Sequence, residues 1–132
     1  MKNNTFARQV REKYGDSVPE FALRLGVAPM TVKRWENGDQ VNALHQTLLE
    51  YSNKYDLGVN HQAPEEFVEL TPEVQIEYLM KYYGCSLTSL SVRIGVTYAT
   101  IFRWKTKNKL SPAAQRLLYE MAANPDRFLM FK

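Results

Sequence analysis

The sequence predicts an all-α fold made of two tandem bundles of about four helices each. Apolar residues recur at helical spacing, as in Phe6, Val10 and Tyr14, which lie four residues apart. Residues 14–49 also match residues 83–118 without a gap, with 12 of 36 positions identical. A fixed period with matching apolar positions indicates a duplicated structural unit.

The first repeat is predicted to contain four helices, over residues 4–14, 18–25, 29–37 and 41–51. Ser17 and Glu20 have the Ser-x-x-Glu spacing of a capping box, in which each side chain bonds the other residue's backbone N–H. Gly26 ends the second helix, because glycine adopts the left-handed conformation at little cost. Pro29 starts the third helix, since the first helical position needs no N–H donor.

The second repeat follows the same plan, with helices predicted over residues 72–83, 88–94, 98–107 and 112 to about 124. Their predicted caps are hydroxyl side chains, which accept a bond from the first free N–H groups of a helix: Thr71, Ser86, Thr97 and Ser111. The tail 126–132 is rich in apolar residues, so we expect it to pack on the domain or on a second chain. We therefore predict one unit over 1–54, a linker over 55–70 and a second, more basic unit over 71–132.

Composition limits the class of protein. Of 132 residues, 45% are hydrophobic and 23% are charged, which is ordinary for a soluble globular chain. No apolar run is long enough for a membrane span, and no apolar stretch follows the first five residues, so neither a span nor a signal peptide is expected. Cys85, His45 and His61 do not form a zinc-ligand spacing, so no metal or other cofactor is expected. A single cysteine also fits a reducing cytoplasm.

Charge is distributed unevenly along the chain. The net charge of +3 combines +1 over residues 1–52, −5 over residues 53–80 and +7 over residues 81–132. A strongly basic second repeat is expected to attract a polyanion such as nucleic acid, with the acidic middle pointing away from it.

Each repeat meets the requirements of a helix-turn-helix motif, which are a small residue in the turn, apolar residues between the helices and polar residues outside. The turn residues are Gly26 and Gly95. The apolar residues expected to hold the third helices in place are Val32, Trp35, Ile101 and Trp104. Helices 29–37 and 98–107 are therefore the segments expected to enter the major groove of double-stranded DNA.

The outer faces of these two helices supply the candidate DNA contacts. Arg34 and Arg103 occupy the same repeat position, and arginine can bond both O6 and N7 of guanine. Phe102 leaves two readings open: contact with sugars and thymine methyl groups, or a protein interface. Residues 105–109 are expected to bind phosphates without reading sequence. The full set of candidates is Pro29, Met30, Thr31, Lys33, Arg34, Tyr98, Ala99, Thr100, Phe102, Arg103, Lys105, Lys107 and Lys109.

The segment from Leu25 to Gly38 resembles the core of the lambda-repressor/Cro-like (XRE) helix-turn-helix family, with its Gly-Val turn and its ending in Trp, Glu, Asn and Gly. This resemblance implies bundles of four or five helices that dimerise and repress transcription in bacteria and phages. It also implies that base contacts fall on Pro29, Met30 and Arg34, and on Tyr98, Ala99 and Arg103. The second repeat departs from the pattern at Lys105, where the first has Glu36.

These observations favour a sequence-specific DNA-binding transcriptional regulator, expected to be a repressor of phage or mobile-element type in the bacterial cytoplasm and nucleoid. A homodimer and a protein partner are further expected forms of association. The alternative is a protein-interaction or inhibitor protein, including an antitoxin-type regulator, in which one helix-turn-helix surface binds a protein. An enzyme is not expected, because no nucleophile–base pair, metal cluster or phosphate-binding loop occurs and the acidic residues lie on predicted solvent faces.

Overall fold

The computed structural model describes residues 5–58 and 63–131, with side chains as far as Phe128. The predicted all-α class is confirmed, since every regular element in this part of the chain is a helix. The chain divides into two compact units, Met1–Asn60 and His61–Lys132. Within the described ranges, none of the helices has the length and apolar character needed to cross a bilayer.

The first unit consists of four helices: α1 (Phe6–Tyr14), α2 (Val18–Leu25), α3 (Pro29–Glu36) and α4 (Ala43–Lys54). The predicted capping box at the start of α2 is confirmed, because Ser17 Oγ accepts from Glu20 N and a Glu20 carboxylate oxygen accepts from Ser17 N. The α4 helix begins two residues later than predicted, where Asn42 caps it through His45 N. The core of the first unit comprises Ala7, Val10, Phe21, Ala22, Leu25, Val32, Trp35, Leu48, Leu49, Tyr51 and Leu57.

The second unit has six helices in its described part: α5 (Glu65–Val68), α6 (Pro72–Tyr83), α7 (Leu87–Ile94), α8 (Tyr98–Lys107), α9 (Pro112–Ala123) and α10 (Pro125–Phe131). The four predicted hydroxyl caps are confirmed, each accepting from the backbone N–H three residues ahead. Its core comprises Phe67, Ile76, Leu79, Leu90, Ile94, Ile101, Ala113, Ala114, Leu117, Leu118, Met121 and Phe128.

The sequence repeat is repeated in the structure. The α7 and α9 helices begin and end 69 residues after α2 and α4, and α8 begins 69 residues after α3. The hydroxyl of Tyr14 donates to the backbone carbonyl of Ser52 in α4. The hydroxyl of Tyr83 lies 3.1 Å from the carbonyl of Met121, the matching residue of α9. The contact of α1 with the last part of α4 in the first unit is thus repeated by α6 and α9 in the second unit.

The segment predicted as a linker contributes to both units. Leu57 is fully buried in the first unit, where its carbonyl accepts a hydrogen bond of 2.6 Å from Arg24. Phe67 is fully buried in the second unit and packs edge-on against Tyr78. Both ends of the range 55–70 are thus anchored by apolar burial, and the part of that prediction over 59–62 lies outside the described residues.

One expectation about α1 is corrected, and one about the tail is confirmed. Phe6 and Val10 were expected to share one face of α1, but Val10 is 1% exposed whereas Phe6 is 39% exposed, because the neighbouring Ala7 faces the core instead. The tail was expected to pack on the domain or a second chain, and it forms α10 against α9, with Phe128 only 1% exposed. The side chains of Leu129, Met130 and Phe131, and the predicted start of α1 at Asn4, lie outside the described residues.

Candidate nucleic-acid interface

The turn between α2 and α3 in the first unit has the same geometry as the turn between α7 and α8 in the second unit. Gly26 has φ of 77° and Gly95 has φ of 87°, in the left-handed region that glycine adopts most readily. The next residue bonds back to the preceding helix, from Val27 N to Ala22 O and from Val96 N to Ser91 O, each at 3.0 Å. These bonds satisfy carbonyls at the helix end and set the direction in which α3 and α8 start.

Buried apolar side chains determine which faces of α3 and α8 point to the core. In α3, Val32 is fully buried and Trp35 is 4% exposed, against α1 and α2. In α8, Ile101 is fully buried, but Trp104 is only half-buried. Both tryptophans were expected to hold these helices in place, and Trp104 is the less buried of the two. The last turn of α8 and its cap also make polar contacts with α6, through Lys105 and Asn108.

The opposite face of α3 carries the candidate contacts of the first unit. Pro29, Met30, Lys33 and Arg34 are exposed, with Met30 at 56%, and Thr31 is half-buried. Because Val32 and Trp35 fix the other side of the helix, these side chains project together from one surface. The sequence-predicted candidates of the first unit are thus brought together on one face.

The α8 helix presents a similar face with different chemistry. Tyr98, Ala99, Phe102 and Arg103 are exposed. Thr100 is half-buried, and its hydroxyl lies 2.9 Å from that of Thr97, the residue that caps the helix. Phosphate or base contact by Thr100 would therefore require its hydroxyl to leave the cap or to share its hydrogen bonds.

One lysine of the basic segment 105–109, which spans the end of α8, forms ion pairs with α6. Lys105 Nζ lies 3.3 Å from a carboxylate oxygen of Glu77 and 3.9 Å from one of Glu73, both on α6. Its ammonium is thus directed to α6, in contrast to the expected phosphate contact. Lys107 and Lys109 remain exposed and keep the predicted location on the surface.

The position of these lysines is set by Asn108. This residue adopts the left-handed conformation with φ of 52°, which asparagine tolerates better than most residues, and it ends α8. Its side-chain oxygen accepts a 3.0 Å hydrogen bond from Glu73 N, in the first turn of α6. The side chain of Asn108 therefore joins the end of α8 to the start of α6.

The corresponding ion pair in the first unit has the opposite polarity. Glu36 accepts two hydrogen bonds from Arg11 on α1, of 2.6 and 3.0 Å. These bonds raise the pKa of Arg11 above its usual value. Glu36 and Lys105 occupy the same repeat position. An ion pair therefore joins α3 to α1 in the first unit and α8 to α6 in the second unit, with the charges reversed. This relationship was not predicted from the sequence, although the change from Glu to Lys marked the position.

A cavity of about 290 Å³ lies beside α3. Its lining comprises Thr31, Arg34, Trp35, Asp39, Gln40, Asn42 and His45. Burial lowers the pKa of His45, and its Nδ1 has no hydrogen-bond partner among the described residues. The imidazole is therefore held neutral beside a candidate base-contacting arginine.

Among the described residues, potential metal ligands are not clustered, and some acidic side chains are largely buried. Across residues 5–58 and 63–128, no group of three or more His, Cys, Asp or Glu side chains is placed to hold a metal ion. The side chains of Asp16 and Glu36 are 9% and 12% exposed in ion pairs, so they depart from the predicted solvent faces. So does Glu120, which is 5% exposed and pairs with the buried Arg116 at 3.5 Å. Both residues lie on α9, where the pair is an i, i+4 contact that needs no functional role to explain it.

Comparison of the chain with protein-family models, with curated proteins and with solved structures finds no match.

Proposed function

We propose that this protein is a sequence-specific regulator of transcription that binds double-stranded DNA through α3 and α8 and acts as a repressor. The observation that carries the proposal is the matched exposure of Arg34 and Arg103 on the outer faces of these helices. Both follow a glycine turn of the same geometry, and both helices have a fully buried aliphatic residue on the opposite face. The resemblance to the lambda-repressor/Cro-like family supports the same assignment.

The chemistry of the exposed residues fits the major groove. An arginine one turn into a helix can donate two hydrogen bonds to guanine, a contact worth about 1–3 kcal/mol of discrimination. The exposed Lys107 and Lys109 supply cations at the end of α8 for phosphate oxygens. We therefore expect both half-sites to contain a guanine, with stronger backbone binding by the second unit.

The distribution of acidic residues also supports a polyanionic partner. The segment between Glu77 and Glu120 has no aspartate or glutamate, and this segment includes all of α7 and α8. A surface with this charge attracts DNA over the range of the Debye length, about 8–10 Å at physiological salt. A regulator of this kind belongs in the bacterial cytoplasm and nucleoid, as the family resemblance implies.

The proposal is tested by selection from a random duplex library, with the purified full chain at moderate salt. Two different half-motifs at a fixed spacing are expected, and their relative orientation gives the symmetry of reading by the two units. One motif alone would restrict reading to one unit, which makes a homodimer the means of binding a symmetric operator. Absence of any enriched sequence would refute the proposed function.

A protein partner is the second candidate function, and one observation favours it. Leu23 on α2 and Val92 on α7 occupy the same repeat position and are 67% and 69% exposed. Exposed apolar side chains are common singly, and the recurrence of these two at one repeat position is what favours a protein partner. Weak salt dependence of ligand binding would favour this candidate, because phosphate contacts make affinity fall steeply with salt. An antitoxin-type regulator would combine both functions.

A further inference from the structure

The outer face of α8 carries two aromatic rings in contact. Tyr98 and Phe102 lie one helical turn apart, with ring centroids separated by 5.8 Å and ring planes inclined by 18°. Their side chains are nevertheless 49% and 47% exposed. The two rings thus form one apolar ridge, here called the aromatic ridge, that starts at the first residue of α8.

The aromatic ridge runs beside a candidate base-contacting side chain. Residues four apart on a helix lie in one row, so Ala99 and Arg103 form the row next to Tyr98 and Phe102. Arg103 is exposed, and Ala99 is too small to separate it from the ridge. A ligand that meets Arg103 from outside the helix therefore also meets the rings.

The charge around the aromatic ridge argues for a nucleic acid rather than an apolar protein surface. The exposed charged residues nearest to it along α8 and its following turn are all cationic: Arg103, Lys107 and Lys109. An apolar surface flanked by cations fits a ligand whose apolar groups are flanked by negative charges. Duplex DNA has this character in its major groove, where the thymine methyl group is an apolar feature between two phosphate chains.

The first unit lacks the aromatic ridge. The matching residues of α3 are Pro29 and Lys33, whereas the arginine position is shared. Any selectivity that the ridge confers is therefore restricted to the second unit.

We propose that the aromatic ridge reads the 5-methyl group of a thymine next to the guanine bound by Arg103, in the half-site of the second unit. This inference rests on the proposed function, because it requires duplex binding by α8. Transfer of one methyl group from water to an apolar surface corresponds to about a fourfold change in affinity.

The test uses the full chain and the duplex recovered by selection. Each thymine is replaced singly by deoxyuridine, which removes the methyl group and leaves base pairing and groove hydrogen bonds unchanged. Loss of about fourfold in affinity is expected at one or two positions within the second unit's half-site. In a parallel duplex, each guanine is replaced by 7-deazaguanine, which removes the N7 acceptor and reports on arginine reading.

A pair of variants assigns the methyl effect to the ridge. Phe102→Ala is expected to bind thymine and deoxyuridine duplexes equally while keeping its sensitivity to 7-deazaguanine. Val92→Ala is the matched control, because it truncates an exposed apolar residue on α7. This control is expected to retain the methyl effect. Circular dichroism confirms that both variants are folded.

The outcomes separate the inference from the function on which it rests. Equal affinity for thymine and deoxyuridine at every position, with guanine replacement still costly, would overturn ridge reading and leave the DNA-binding regulator intact. A methyl effect that survives Phe102→Ala would overturn the assignment to the ridge. Failure of every duplex to bind specifically would overturn both, and would leave a protein partner as the ligand of the aromatic ridge.

Discussion

The imidazole of His45 packs edge-on against the indole of Trp35, with ring centroids 5.2 Å apart and ring planes at 60°. This contact joins the start of α4 to α3, the helix that carries Arg34. The second unit has Ala114 at the position of His45, so the contact belongs to the first unit alone. The two units consequently support similar helices with different packing.

Stability is expected to fall in mildly acidic solution because of His45. Burial lowers its pKa from the ordinary value of 6.5, so the folded protein keeps the imidazole neutral where the unfolded chain is already protonated. The unfolded state therefore binds more protons, and the free energy of unfolding decreases as the pH falls below about 6.5. Urea unfolding between about pH 7.5 and 5 measures the slope.

A glutamine variant tests the assignment to this histidine. His45→Gln should flatten the pH dependence. An unchanged slope in the His45 variant would show that another group dominates this pH range.

The two tryptophans are expected to contribute unequally to stability. Trp35 is 4% exposed, so Trp35→Ala should lower the free energy of unfolding by about 3–5 kcal/mol. Trp104 is only half-buried, and Trp104→Ala should cost clearly less. Urea unfolding followed by circular dichroism compares the two, and equal losses would contradict the difference in burial.

The ion pair between Arg11 and Glu36 is expected to stabilise the first unit more than a surface pair does. The two side chains are 16% and 12% exposed, and Glu36→Gln weakens both of their hydrogen bonds, at an expected cost of about 1.5–3 kcal/mol. Glu12→Gln is the control, because Glu12 is 56% exposed and pairs with Arg8, which is 37% exposed, within α1. That change should cost about 0.5 kcal/mol or less. Similar midpoints for both variants in urea would contradict this ranking.

Arg103 and Lys107 are expected to affect DNA binding in different ways. Arg103→Ala should weaken binding to the selected duplex by about 1–3 kcal/mol while changing affinity for unrelated duplexes little. Lys107→Ala should weaken both alike and reduce the slope of log affinity against log salt by about one. Fluorescence anisotropy at several salt concentrations measures both effects. Equal loss on the two duplexes with Arg103→Ala would remove its reading role.

Most helix positions could be predicted from the sequence because their caps are local. Ser17 with Glu20, and the hydroxyl residues Ser111 and Thr97, bond N–H groups only three residues away. The same logic failed for α10, since Pro125 ends one helix and also occupies the first position of another. A proline marks the boundary without revealing whether a new helix follows.

Contacts between helices were harder to predict because they depend on how the helices cross. Phe6 and Ala7 are neighbours on α1, and periodicity alone could not decide which of these adjacent rows faces the core. Lys105 read as part of a cationic cluster, whereas the packing of α8 on α6 directs it to Glu77. The outward positions of Arg34 and Arg103 were predictable, since their buried neighbours fix the opposite face. Their contact with DNA stays a prediction.

The reversed ion pairs have a consequence for folding. Two similar repeats in one chain are exposed to misassembly, in which a helix of one repeat takes the place of its counterpart in the other. If α1 packed on α8, Arg11 would approach Lys105, and if α6 packed on α3, Glu77 would approach Glu36. Either exchange brings like charges together, so it is penalised relative to the native arrangement. The opposite charges of Glu36 and Lys105 therefore favour the pairing of α3 and α8 with the helix of their own repeat.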